Sequence, residues 1–118
     1  MAVFRCSIIG IVVFHLATAA FAEIDFDRKV APILVKRCLE CHSENTAMGG
    51  LVLTTRSGLL TGGDGGSAVS VTNPADSLFL GRITAGEMPP EQRGQSRQLP
   101  ADEIRILTEW VNEGSVWP

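Results

Sequence analysis

Two thiols and an imidazole stand within five residues, in Cys38-Leu39-Glu40-Cys41-His42. Cysteines three positions apart can bond to the two vinyl groups of one haem, and the histidine that follows supplies the proximal iron ligand. This is the C-x-x-C-H attachment pattern of a c-type haem. Three other readings use the same residues. A thioredoxin-like C-x-x-C opens a helix after a strand, whereas this motif ends a helical run. A closed zinc site takes four ligands. A plain disulfide would use only the two cysteines.

The start of the chain bears on which reading stands. Arg5 gives a short positive region, Ile8 to Leu16 form an apolar run, and Ala20-Phe21-Ala22 is an A-x-A cleavage site. Residues 1–22 therefore read as a secretory signal peptide, cut after Ala22. The alternative is a retained N-terminal membrane anchor. The run Ile8–Ala22 falls short of the ~20 residues that a span needs. Cys6 and His15 leave with the signal. The mature domain, residues 23–118, keeps Cys38 and Cys41 as its only cysteines and His42 as its only histidine. No fourth zinc ligand of those types remains. Nine basic residues then face thirteen acidic ones. That balance argues against nucleic acid, whose phosphates need a basic surface. The expected location is periplasmic or secreted, with no membrane span after cleavage.

The iron's second face is assigned by elimination. Lys29 and Lys36 precede the motif on the proximal side. Met48 lies six residues after His42, a reach of at most ~20 Å. Passing around the porphyrin rim takes on the order of 25–30 Å. Met88, or an open position, is left. Met88 has the better setting, in Gly86-Glu87-Met88-Pro89-Pro90. A residue before proline favours extended backbone, and two prolines stiffen the loop that carries the thioether. The alternative is a methionine that packs or lies at the surface.

The elements that must position these groups are mostly helical. Ile24–Arg37 carries Phe26, Val30, Ile33 and Leu34 at helical spacing, with Asp25 or Asp27 as cap. Pro32 either kinks that helix or starts it late. Leu51–Thr55 reads as a short extended segment, Ser57–Leu60 as a helical turn, and Asn73–Ile83 as a helix. Glu87–Gln98 is a polar loop. The last helix has Ile104, Leu107, Trp110 and Val111 as its stripe and ends at Gly114. Gly62-Gly63-Asp64-Gly65-Gly66 lacks the Gly-Lys-Ser/Thr ending of a phosphate loop. It reads as a turn that passes close to the haem edge. Arg82 is a candidate partner for a haem propionate, and the two tryptophans read as packing. The sole mature histidine is committed to iron, so no catalytic triad can be built.

In order, Val30-Ala31-Pro32-Ile33-Leu34, Cys38–His42, Gly49-Gly50-Leu51-Val52-Leu53, the glycine cluster, Asn73-Pro74-Ala75-Asp76-Ser77-Leu78, Met88-Pro89-Pro90, Ile104–Trp110 and Gly114-Ser115-Val116-Trp117-Pro118 resemble the planctomycete-type cytochrome c domain. The resemblance implies a small, mostly α, cytochrome c-like fold. Its N- and C-terminal helices would pack beside a single covalent haem c, among long Gly/Pro-containing loops. It implies Cys38 and Cys41 as attachment points, and His42 and Met88 as axial ligands. Three places depart from the pattern. Ser43 stands where glycine is frequent, Pro100 replaces a Ser/Thr cap, and Glu91–Gln98 is long and polar. The expected function is mono-haem, single-electron transfer with a redox partner protein rather than catalysis. The alternative is a haem module that senses redox state or binds a diatomic ligand, with Met88 absent or displaced.

Overall fold

The computed structural model describes Phe14 and residues 22–118. Apart from Phe14 and Ala22, the segment read as a signal peptide lies outside the described residues. All regular structure among them is helical. Among the described residues the only β pairing is two isolated bridges, Gly63 with Gly66 and Gln92 with Gln95.

The N-terminal helical run resolves the proline question. Asp25 caps it, its carboxylate accepting from the Arg28 N–H at 3.1 Å. Phe26–Val30 forms one wide π-helical turn, and α1 (Ala31–Arg37) follows without a break. Pro32 is the second residue of α1, just past the wide turn. The wide turn lets the chain stay helical ahead of the proline instead of kinking.

Helix α2 (Arg56–Thr61) is capped by Thr55, whose hydroxyl accepts from the Gly58 N–H at 3.0 Å. The expected Asn73–Ile83 helix divides in two. Pro74–Asp76 makes a 3₁₀ turn, and α3 (Leu78–Thr84) starts afresh. The cause is Ser77, which is extended and buried and whose hydroxyl accepts from the Ser70 N–H at 2.9 Å. Continuing the helix through Ser77 would leave that loop amide without a partner.

Helix α4 (Ala101–Asn112) begins at Pro100 with no side-chain cap, and Gly114, at φ +98°, follows its end. Its stripe buries Leu107, Trp110 and Val111. The N-terminal run crosses it through an aromatic cluster. Phe26 lies 5.8 Å from Trp110 and 4.5 Å from Trp117, centroid to centroid. The Trp110 indole N–H donates to the Val116 carbonyl at 2.8 Å, so this fully buried side chain has no unsatisfied donor. Two further ties join the chain ends. The Ile24 N–H donates to Glu113 at 2.9 Å. Arg37 and Glu103 pair bidentately, Nε to Oε2 at 2.7 Å and Nη2 to Oε1 at 3.0 Å. The second tie fixes the end of α1 one residue before Cys38.

Candidate cofactor site

Past Arg37 the backbone bends so that Cys41 and His42 N–H groups both donate to the Cys38 carbonyl, at 3.2 and 3.0 Å. The Leu53 N–H donates to the His42 carbonyl at 2.9 Å. Residues 51–53 thus run alongside the motif without forming a strand. Cys38, Glu40, Cys41 and His42 face a cavity of about 280 Å³, while Leu39 packs against the core. Leu51, Leu53, Phe79 and Ile83 supply apolar wall, and the glycine turn 63–66 supplies backbone. Gly63 has no room for a side chain, since a Cβ there would lie 2.3 Å from the Gly49 carbonyl oxygen.

The structure brings Cys38, Cys41, His42 and Met88 to this one cavity. Met88 reaches it from the loop after α3, where its N–H and that of Glu87 both donate to the Arg82 carbonyl, at 3.2 and 2.9 Å. Met88 is 37% exposed, and Pro89 beside it is buried. Met48 also lines the cavity, 54% exposed. Its N–H donates to the Cys41 carbonyl at 2.9 Å, which ties it to the motif itself. Lining alone does not separate the two methionines: Met48 is tied to the motif, and Met88 comes from a separate loop.

Two observations bear on what the site can hold. Among the described residues, one buried side-chain polar atom has no partner within the chain, and it is Nδ1 of His42. Buried polar groups are ordinarily paired, and this one belongs to the ring that the motif assigns to iron. Burial also pushes the Cys38 thiol up to about 11, Arg37 opposing the shift and Glu103 adding to it. Among the described residues no three His, Cys, Asp or Glu side chains are placed to hold a bare ion. An apolar cavity with two thiols, an imidazole and thioethers on its wall fits a haem better than a bare metal.

Residues 38–92 match the family model for Planctomycete cytochrome C. The resemblance read from the motifs is thereby shown for this segment, just under half of the chain, and the family implies haem c. No curated protein and no solved structure matches the chain. The matched segment holds Cys38, Cys41, His42 and Met88, ends within the polar loop at Gln92, and leaves out α4. Among the described residues no helix is long and apolar enough to cross a membrane.

Sequence reasoning missed the place of Arg37, Glu40 and Arg97 on the cavity wall, whereas Asp64 lies in the glycine turn expected there. Charged residues in loops carry no periodic signal. The proximity of Arg37 and Glu40 to the motif was the only hint available.

Proposed function

We propose that the chain is a mono-haem c-type cytochrome that carries single electrons outside the cytoplasm. In this reading residues 1–22 direct export and residues 23–118 form one cytochrome c-like haem domain. Cys38 and Cys41 hold the haem as thioethers, and His42 and Met88 take the two axial positions. A haem held there supplies one-electron exchange between ferric and ferrous iron. The residues would do the rest. His42 fixes one face, and the thioether of Met88 favours the reduced state relative to harder ligands. The apolar wall keeps water from the iron, and the stiff Met88-Pro89-Pro90 loop limits rearrangement between redox states.

The observation that carries this reading is the convergence of the C-x-x-C-H side chains and Met88 on one apolar cavity. The test is to produce the full chain in a host that matures c-type cytochromes and extract the purified protein with acid–acetone. The expected result is colour that stays with the polypeptide and one haem per chain. Extractable colour would refute covalent attachment.

A further inference from the structure

Besides the two cysteines, six charged or titratable side chains face the cavity: Arg37, Glu40, His42, Asp64, Arg82 and Arg97. The three arginines differ in what they have left to give. Arg37 is spent on its two bonds to Glu103. Arg82, half exposed, pairs with its near neighbour Glu87. Arg97 makes a single bond, Nη2 to Glu40 Oε2 at 3.2 Å. A guanidinium carries five N–H donors in a planar fork, so most of the Arg97 fork is uncommitted.

The loop around Arg97 is built to return it to the cavity. Gln92 and Gln95 exchange two backbone hydrogen bonds, at 3.0 and 2.9 Å. Arg93 and Gly94 between them both have positive φ, +53° and +75°. Two such residues in a two-residue turn reverse the chain sharply. Every residue from Glu91 to Gln98 is exposed except Arg97, whose side chain is 28% exposed. Leu99, two residues on, is buried in the core. Gln98 packs over Gly86, where a Cβ would overlap its side-chain amide. Both ends of the loop are therefore held. The loop lies outside the matched family segment, which ends at residue 92, apart from Glu91 and Gln92.

We propose that this loop delivers Arg97 as the anchor for a carboxylate of the bound group. On the haem reading, on which this proposal rests, that carboxylate is a propionate. Glu40, the residue between the two cysteines, is the positioning residue. It is 69% exposed and holds one edge of the fork, leaving the other N–H groups to meet the carboxylate. Arginine suits this better than lysine, because its fork binds a carboxylate with two parallel bonds.

The experiment uses the mature haem-loaded protein and compares wild type with Arg97→Gln, Arg97→Lys, Glu40→Gln and Arg105→Gln. Arg105 lies on the exposed face of α4, paired with Glu109, and controls for the lost charge. Resonance Raman spectroscopy reads the propionate bending band, and a redox titration against a reference carrier reads the reduction equilibrium. Arg97→Gln is expected to shift the band and to lower the equilibrium constant for reduction about tenfold. That is the scale of one unit charge acting over roughly 10 Å at an effective dielectric near 20. Arg97→Lys should restore most of the equilibrium but not the band, since it keeps the charge and loses the fork. Glu40→Gln should move the band less than Arg97→Gln, and Arg105→Gln should move neither readout. If Arg97→Gln fails to mature, Arg97→Lys still decides by its band. A wild-type band in every Arg97 variant that loads haem would overturn the proposal and leave the haem reading intact. A wild-type protein that takes up no haem would overturn the haem reading itself.

Discussion

Helix α4 offers two Arg–Glu pairs that differ chiefly in burial, and the difference sets a quantitative prediction. Arg37 and Glu103 keep only 22% and 16% of their side-chain exposure and meet through two bonds. Arg105 and Glu109 are 61% and 47% exposed and meet through one, at 2.9 Å. A charge-assisted bond contributes about 1.5–3 kcal/mol. Stranding one partner of a fully buried pair costs about 3–5 kcal/mol. Water still reaches about a fifth of each side chain in the first pair. Glu103→Ala should therefore destabilise the folded protein by about 2–3 kcal/mol, with a coupling energy to Arg37→Ala of about 2 kcal/mol. The exposed i,i+4 pair should show about 0.3–0.5 kcal/mol. Urea melts of the haem-loaded protein, followed by tryptophan emission and by haem absorbance, give both double-mutant cycles. A coupling for Arg37–Glu103 no larger than that for Arg105–Glu109 would refute the reasoning that this tie sets the frame before Cys38.

Other perturbations test other parts of the frame and site. Met88→Ala should lower the reduction potential and open the iron to external ligands; an unchanged potential in a redox titration would remove Met88 from the iron. Changing both Cys38 and Cys41 to Ala should leave no haem on the chain after acid–acetone extraction. Trp110→Ala should cost about 3–5 kcal/mol in denaturant melts, because it empties a fully buried site between the terminal helices. Haem-free chain should melt broadly with weak tertiary signals, since a domain this small carries a large apolar cavity beside its core; a sharp calorimetric transition would count against that.

The helical stretches were legible where an apolar stripe repeats. The stripe at Ile104, Leu107 and Val111 located α4, and the Phe26–Leu34 spacing located the N-terminal run. Breaks set by tertiary demand were not legible. Ser77 interrupts the expected helix because its buried hydroxyl serves the Ser70 amide, a bond that no local pattern announces. The π turn ahead of Pro32 is a further case, since propensity does not distinguish it from a kink. At the site, motif spacing singled out Cys38, Cys41 and His42, elimination by chain reach singled out Met88, and the structure gathers all four on one cavity. The polar loop looked like a departure without purpose. Only the fold shows that its reversal at Arg93-Gly94 brings Arg97 back to the cavity wall.

The central claim is a haem whose iron is closed on one face by His42 and on the other by Met88. Its most direct test is the absorption spectrum of the ferrous holoprotein before and after addition of carbon monoxide. The account predicts a low-spin spectrum that carbon monoxide leaves unchanged. Rapid formation of a carbon monoxide complex by the wild-type protein would contradict it.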